Sequence, residues 1–251
     1  SPACSAPMPT ANIAFARSIA TKAAQRRAGA LLLAGILLAA AAPARPPNAD
    51  PAFPFSNEIE AFAAANNSGA AVRDGVLFLG SSSIRLWDIA GSFRDRATIN
   101  RGFGGATTAH VLHYYKRLLP PVPPRSVIVY VGENDLAAGA APEAVSRDVL
   151  ALLRRLRADY PRAPIAFLSL KPSPIRWTLR PKMAAVNQAV AAKAKDMRVT
   201  YIDVGTSLLA PDGLPDASLF RADGLHMNAR GYDRWTRMID AWLDRTAQET
   251  S

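Results

Sequence analysis

The sequence predicts an α/β fold in which helices cover both faces of a parallel sheet. Short apolar runs of strand length alternate with amphipathic helical segments along residues 57–247. The strand segments are apolar at consecutive positions, as in residues 76–79, which is typical of strands buried on both faces. A chain of 251 residues is long enough for one such domain and a terminal extension.

Five segments have the length and composition of strands. They are residues 76–80, 97–100, 126–131, 164–170 and 199–203. A helix follows each strand, and right-handed crossovers leave few topologies for five such units. We expect a flavodoxin-like, three-layer α/β/α arrangement with a five-stranded parallel sheet in the order 2-1-3-4-5.

Helix start and stop signals separate these strands. The predicted helices are residues 58–66, a segment from Thr107 or Thr108 to Leu119, residues 142–160, residues 180–196, and a last segment capped at Asn228. Pro142 occupies a first-turn position, where its missing N–H is tolerated. In the segment that ends at Leu119, the inward positions are predicted to be Val111, Leu112, Tyr115 and Leu118.

The N-terminal region has the pattern of an export signal. Residues 1–44 carry four of the 30 basic residues and none of the 20 acidic ones, and an apolar stretch at 28–42 ends in Ala42-Pro43-Ala44. That stretch is shorter than the ~20 residues of a membrane span. We therefore expect a signal peptide, or alternatively an uncleaved anchor, at 1–44, a proline-rich linker at 45–56 and the folded domain at 57–247. The expected location is the periplasm or the medium, with no stable membrane insertion after cleavage.

The net charge of +10 does not indicate a nucleic-acid partner. The arginines are scattered, and the densest group, Arg154, Arg155 and Arg157, lies on a predicted helix, where we expect a solvated face. No stripe of alternating aromatic and basic residues accompanies it. Cys4 is the only cysteine and precedes the apolar stretch, so the mature chain is expected to have neither a disulfide nor thiol chemistry.

Four polar or glycine positions follow predicted strands and should meet at one edge of the sheet. Ser82 follows the first strand, Gly105 the second, Asn134 the third and His226 the fifth. The carboxyl ends of parallel strands share one edge, and ligands bind there at the point where the strand order reverses. These residues are therefore expected to be neighbours despite their distance in sequence.

Their chemistry fits nucleophilic catalysis. A serine needs a base within hydrogen-bond reach, and that base needs a third group to orient it. His226 is the candidate base for Ser82, and Asp223, three residues earlier, can accept a hydrogen bond from its Nδ1. The backbone N–H groups of Ser82 and Gly105 and the side-chain amide of Asn134 can stabilise a developing oxyanion.

Each motif also has a structural interpretation. Ser82 alone could be a helix N-cap, and the glycine pair 104–105 could serve only a tight turn. Asp203, at the end of the fifth strand, is an alternative acid for the histidine. His110 and His113 have the spacing of a metal pair, but no carboxylate shares it, and a structural or surface role is expected. We expect no metal and no cofactor.

Together the segments resemble the conserved blocks of the SGNH hydrolases, the GDSL esterase superfamily. The matching blocks are Gly80-Ser81-Ser82, Asn100-Arg101-Gly102-Phe103-Gly104-Gly105, Gly132-Glu133-Asn134-Asp135 and Asp223-Gly224-Leu225-His226. The resemblance implies a catalytic triad of Ser82, Asp223 and His226 and an oxyanion hole formed by Ser82, Gly105 and Asn134. Gly102 is the less favoured alternative register for the second block.

One position departs from the family pattern, and one loop resembles a family feature. The usual aspartate after the first glycine is Ser81 here; because that aspartate is not the nucleophile, we expect activity to survive. The loop at 171–177 resembles a segment that walls the substrate cleft in some relatives. Arg176 and Trp177 are therefore expected to bind substrate, with simple packing of Trp177 as the alternative.

The expected function is that of a serine esterase acting on carboxylic esters of small molecules. Short-acyl or carbohydrate and lipid esters are the expected substrates, and the sequence shows no long apolar lid. A lysophospholipase or a thioesterase is an alternative within the same chemistry. A non-catalytic ligand-binding module on this fold is a second alternative, and a flavin-binding protein follows from topology alone. The sequence does not determine the oligomeric state.

Overall fold

The computed structural model describes residues 54–68 and 72–249. The predicted signal segment, residues 1–44, and residues 45–53 of the predicted linker lie outside the described residues. So does Cys4. The domain boundaries that depend on these residues remain predictions.

Five parallel strands form one sheet, as the sequence predicts. They are β1 (Val76–Gly80), β2 (Thr98–Gly102), β3 (Ser126–Tyr130), β4 (Ile165–Leu168) and β5 (Val199–Ile202), and the sheet order is β2-β1-β3-β4-β5. All residues of β1, β3 and β4 are buried, which explains their continuous apolar sequence. The strand order reverses between β1 and β3, so the connections that follow these two strands turn to opposite sides.

Eight α-helices occur in the described part of the chain. They are α1 (Ser56–Asn67), α2 (Ser82–Arg85), α3 (Ile89–Ser92), α4 (Thr108–Leu118), α5 (Glu133–Ala137), α6 (Pro142–Asp159), α7 (Arg180–Ala194) and α8 (Ala229–Glu249). The helices α1, α4, α6 and α7 pack against one another in that order. The sheet and its helices form the predicted flavodoxin-like α/β/α fold.

Side-chain caps mark two of the predicted helix starts. The Thr107 hydroxyl accepts a hydrogen bond from the backbone N–H of His110, and the Asn228 side chain accepts one from Gly231. Pro142 is the first residue of α6. The sequence missed the short helix α5, because residues 132–135 contain a glycine and three polar residues that are equally typical of a loop.

β2 extends beyond its predicted end at Asn100. Arg101 and Gly102 continue the pairing with β1, and the Asn100 side chain donates to the Ile84 carbonyl and accepts from the Gly102 N–H. A Cβ added at Gly102 would lie 2.3 Å from the backbone nitrogen of Arg85. Glycine is therefore needed here because α2 packs directly on the strand.

Aromatic side chains join α8 to the segment that follows β1. The ring of Trp87 stacks on Tyr232 and meets Trp235 edge-on. The Tyr232 hydroxyl donates a 3.0 Å hydrogen bond to the carbonyl oxygen of Ser83. These contacts fix the C-terminal helix to the turn that carries Ser82, which brings the two ends of the domain together.

The arginine group on α6 is only partly the solvated face that the sequence predicts. Arg154 and Arg155 are exposed, but Arg157 is half-buried. Its guanidinium lies within hydrogen-bond distance of the carbonyl oxygens of Tyr160, Pro161, Ala163, Met197 and Arg198. The expectation is wrong for Arg157, because a fork of donors can satisfy carbonyls of two irregular segments at once.

No helix among residues 54–68 and 72–249 is both long enough and apolar enough to cross a bilayer.

Candidate active site

A tight turn at the end of β1 presents Ser82 at the carboxyl edge of the sheet. Gly80 has a φ of +153°, and a Cβ at this position would lie 2.0 Å from the carbonyl oxygen of Tyr130. Only glycine fits so close to the neighbouring strand. α2 then begins at Ser82, so its side chain stands where the strand meets the helix.

Backbone hydrogen bonds hold this turn together. The N–H of Ser81 donates to the Tyr130 carbonyl, and the carbonyl of Ser81 accepts from the N–H groups of Ile84 and Arg85. Ser81 is buried, with 3% of its surface exposed. The main chain therefore supports the turn without the aspartate side chain that is usual at this position in the resembling family.

His226 lies between Ser82 and Asp223. Its Nε2 is 3.0 Å from the Ser82 Oγ, and its Nδ1 is 2.7 Å from the Asp223 Oδ2. The other carboxylate oxygen of Asp223 accepts from the backbone N–H groups of Leu225 and His226, each at 2.9 Å. The hydrogen bond from the His226 ring, with these two backbone bonds, holds the pKa of Asp223 well below its ordinary value.

Asp203, the alternative acid, is engaged elsewhere. Its carboxylate accepts hydrogen bonds from the hydroxyls of Ser169 and Thr206 and from the backbone of Thr206. The structure therefore gives Asp223, and not Asp203, as the carboxylate in contact with the His226 ring.

Asn134 and Gly105 belong to neighbouring connections at the same edge. Asn134 is the second residue of α5, and its Nδ2 donates to the Ala106 carbonyl at 2.9 Å. Gly105 is exposed and has a φ of +73°, in the left-handed region. No atom lies within 4 Å of a Cβ built at Gly105, so its backbone conformation, and not crowding, favours glycine there.

A buried charge cluster behind Asn134 was not predicted from the sequence. Lys171 is fully buried and Glu133 is 3% exposed, and the Lys171 Nζ lies 3.2 Å from the Glu133 Oε2. The Tyr130 hydroxyl also donates to Glu133. Burial alone would raise the pKa of Glu133, but Lys171, the Tyr130 hydrogen bond and Arg176 together bring it below its ordinary value.

The sequence carried no clear signal for this cluster. Glu133 and Lys171 are each the third residue after an apolar strand, where a charged residue more often marks a solvent-exposed turn. Burial of both becomes evident only when the connections after β3 and β4 lie side by side. A charged residue at the carboxyl end of each of two adjacent parallel strands was the only available hint.

Arg176 and Trp177, the predicted substrate-binding residues, lie on the connection after β4. The Arg176 Nη1 donates to the Glu133 Oε1 and to the Asn134 Oδ1, both at 3.0 Å. Trp177 is half-buried, and the guanidinium carbon of Arg180 lies 5.1 Å from its ring centroid. Arg176 therefore contacts a predicted oxyanion donor directly, whereas Trp177 packs beside an arginine.

His110 lies outside this site and belongs to the start of a helix. The ring Nδ1 of His110 accepts a 3.1 Å hydrogen bond from the Thr107 N–H, which completes a capping box at the start of α4. Within the described ranges, no three His, Cys, Asp or Glu side chains are grouped closely enough to hold a metal ion.

Many chains in solved structures match this chain. The chain is similar to a Streptococcus pneumonia protein provisionally described as a platelet activating factor, with 21% identity, a TM-score of 0.68, and coverage of 75% of this chain and 92% of that one. It is also similar to a GDSL-like lipase from Bacteroides thetaiotaomicron, with 19% identity, a TM-score of 0.64, and coverage of 76% and 98%. At these identities the likeness concerns the fold. No curated protein gives a significant sequence match.

The sequence profile of the GDSL-like Lipase/Acylhydrolase family matches residues 85–234, which is more than half of the chain. Ser82, His226 and Asp223 lie in hydrogen-bond contact at the carboxyl edge of the flavodoxin-like sheet. The chain belongs to the GDSL-like lipase/acylhydrolase family, and the predicted resemblance is confirmed.

Proposed function

We propose that this protein is a serine esterase that hydrolyses carboxylic esters, with Ser82 as nucleophile. One observation carries the proposal: the His226 ring is within hydrogen-bond distance of the Ser82 Oγ through one nitrogen and of Asp223 through the other. A structural serine cap needs neither contact. Membership of an acylhydrolase family supports the same class of reaction.

In the proposed acylation step, the His226 Nε2 removes the proton from the Ser82 Oγ as that oxygen attacks the ester carbonyl. The new bond joins Oγ to the carbonyl carbon, and the carbonyl electrons move to its oxygen. When the tetrahedral intermediate collapses, the bond to the alcohol oxygen breaks. The protonated His226 then gives its proton to the leaving alcohol, and the acyl group remains on Ser82.

Deacylation repeats these steps with water. His226 removes a proton from a water molecule, which attacks the acyl carbonyl, and the acid leaves as Ser82 regains its proton. Asp223 accepts the hydrogen bond from Nδ1, so that Nε2 is the free basic nitrogen, and it stabilises the imidazolium that forms. The low pKa of Asp223 keeps it ionised for this role.

The proposed oxyanion donors are the backbone N–H groups of Ser82 and Gly105 and the Nδ2 of Asn134. One Nδ2 proton is engaged by the Ala106 carbonyl, and the other is available to an incoming oxyanion. Removal of one donor of this kind typically costs about 10²–10³ in turnover.

For the substrate we propose short-acyl esters, including acylated carbohydrates. The connection that carries Arg176 and Trp177 would form one wall of the cleft, and Ile175, just before Arg176, is exposed. Lysophospholipid and thioester substrates remain alternatives within the same chemistry, and an acyl-chain-length series measured on one purified preparation separates them.

Hydrolysis of p-nitrophenyl acetate tests the proposal. Ser82→Ala should abolish turnover, whereas Ser83→Ala, which changes the adjacent serine, should retain it. Mass spectrometry after fluorophosphonate treatment should find the adduct on Ser82 in the wild type and on no residue in Ser82→Ala. Equal turnover in wild type and Ser82→Ala contradicts the proposal, and ligand binding without any fluorophosphonate adduct supports the non-catalytic binding module instead.

We also propose that residues 1–44 form an export signal that is removed after Ala44. The basic residues followed by a short apolar stretch and Ala42-Pro43-Ala44 support this. The N-terminal peptide of the protein isolated from a fractionated cell provides the test. A peptide that begins at Arg45 supports removal, and an N-terminus upstream of the apolar stretch contradicts it.

A further inference from the structure

The buried carboxylate of Glu133 contacts two cations. Lys171 lies 3.2 Å from one carboxylate oxygen and Arg176 lies 3.0 Å from the other, with the Tyr130 hydroxyl as a third donor. We call these four residues the Glu133 cluster. Charges this deeply buried carry a desolvation penalty that even good pairing often fails to recover. Stability alone is therefore a weak explanation for such a cluster, and its contacts with the site are more informative.

The Glu133 cluster reaches the proposed oxyanion hole through Arg176. A carboxamide has an oxygen on one side and an NH₂ group on the other, and only the NH₂ group can donate to an oxyanion. Rotation of the Asn134 amide by half a turn would present its oxygen to the developing negative charge. Some contact must therefore favour one of the two orientations.

Two contacts favour the same orientation: the Ala106 carbonyl accepts only from the NH₂ group, and Arg176 donates only to the oxygen. A guanidinium has donors and no acceptor, so the group facing its Nη1 at 3.0 Å must be the Asn134 oxygen. The Asn134 Nδ2 then faces the Ala106 carbonyl with one proton and keeps the other for the cleft. The second Nη1 proton of Arg176 goes to Glu133, which holds the guanidinium in place.

The same cluster reaches the connection that carries the proposed base. The Lys171 Nζ donates a 3.0 Å hydrogen bond to the carbonyl oxygen of Leu225, the residue before His226. One buried group of charges thus touches the chain on both sides of the proposed reaction centre. It also holds two cations against one anion, which favours negative charge nearby.

We propose that Arg176 is a positioning residue which, held by Glu133, fixes the amide orientation of Asn134 so that its Nδ2 faces the developing oxyanion. This inference rests on the proposed esterase function. It gives Arg176 a role that acts through Asn134, in place of the direct substrate contact that the sequence predicts.

Steady-state kinetics on p-nitrophenyl acetate test the inference with three variants. Arg176→Gln offers both a donor and an acceptor, so it no longer selects the Asn134 oxygen and leaves only the Ala106 carbonyl to orient the amide. Its kcat should fall roughly 10- to 100-fold with little change in KM. Arg176→Lys keeps a donor-only group and should retain most of the activity. Arg180→Gln, a nearby exposed arginine that packs on Trp177, is the matched control and should behave as the wild type.

A double-mutant cycle with Asn134→Ala separates positioning from substrate contact. If Arg176 acts through Asn134, Arg176→Gln should have almost no further effect in the Asn134→Ala background. Multiplicative losses, a rise in KM as the main effect, or equal damage by Arg176→Lys and Arg176→Gln would each overturn the inference.

The amount of folded protein and the basic chemistry are measured separately. Fluorophosphonate titration of reactive Ser82 gives the concentration of folded enzyme, to which each kcat is normalised. If Arg176→Gln does not fold, the substitute test is whether added guanidinium restores the activity of Arg176→Ala. No recovery would count against the inference. A wild type without Ser82-dependent turnover contradicts the esterase proposal itself, whereas unchanged kcat in Arg176→Gln contradicts only the role of Arg176.

Discussion

Asp135 binds the backbone of Thr108: both carboxylate oxygens lie 3.0 Å from the Thr108 nitrogen. Thr108 is the first residue of α4, so a negative side chain faces the N-terminus of that helix. Asn134 precedes Asp135, and Gly105 lies just before the helix. This contact therefore ties together the two connections that carry the proposed oxyanion donors.

The buried position of Asp135 predicts a pH-dependent effect on stability. Burial raises the pKa of Asp135 above its ordinary value. A group with a raised pKa stabilises the folded state fully below its unfolded pKa, about 3.9, and this stabilisation is lost as the pH rises through the folded pKa. Asp135→Asn does not titrate, so its free energy of unfolding should improve relative to the wild type as the pH rises from about 3 to 7. Urea unfolding across this range measures the difference, and a pH-independent difference contradicts the prediction.

Asp223→Asn should lower kcat by roughly 10³–10⁴ with little change in KM, because an amide can stabilise the wrong tautomer of His226. Asp203→Asn is the matched control, since its carboxylate bonds to Ser169 and Thr206 and does not touch the histidine. Ester hydrolysis at neutral pH measures both variants. A larger loss in Asp203→Asn would mean that the acid has been misassigned.

Two glycines should respond differently to alanine. At Gly102 the new methyl group would lie 2.3 Å from the Arg85 nitrogen, so backbone must move and Tm should fall strongly. At Gly105 there is open space but a positive φ, which costs alanine only about 1–2 kcal/mol. Thermal unfolding should rank Gly102→Ala below Gly105→Ala. Gly105→Ala should lose activity out of proportion to its stability, because the proposed oxyanion N–H shifts.

Removal of Lys171 should be strongly destabilising, because it leaves the buried Glu133 with fewer compensating partners. The expected cost of Lys171→Met is about 3–5 kcal/mol in the free energy of unfolding, measured in urea. Glu133→Gln in the same chain should recover part of this loss, since it removes the uncompensated charge. A double variant that is less stable than Lys171→Met alone would contradict this account.

Local sequence patterns were sufficient for the sheet. Residues 76–80 form a strand as predicted because every position is buried, and a strand buried on both faces needs an apolar side chain at each of them. The caps at Thr107 and Asn228 were predictable because each bonds within three residues of itself. Buried strands and helix caps depend on residues that are close in sequence, so a sequence pattern can predict them.

Contacts between distant segments were not predictable in the same way. The β2 strand runs to Gly102 because of its pairing with β1, and Arg157 is half-buried because two irregular segments offer carbonyls to it. Glu133 and Lys171 look like ordinary surface charges in the sequence. The catalytic assignments at Ser82, Gly105, Asn134 and His226 came from a shared sheet edge and remain predictions about chemistry.

The bond from Tyr232 to the Ser83 carbonyl has a consequence for the growing polypeptide. Serine and imidazole are 144 positions apart, and α8, which follows the imidazole, is the last helix in the described residues. A ribosome must synthesise the chain through α8 before that helix can dock and the serine can meet its base. Truncated or nascent chains should therefore be hydrolytically inert, and the regain of esterase activity after dilution from denaturant should report the final step of refolding.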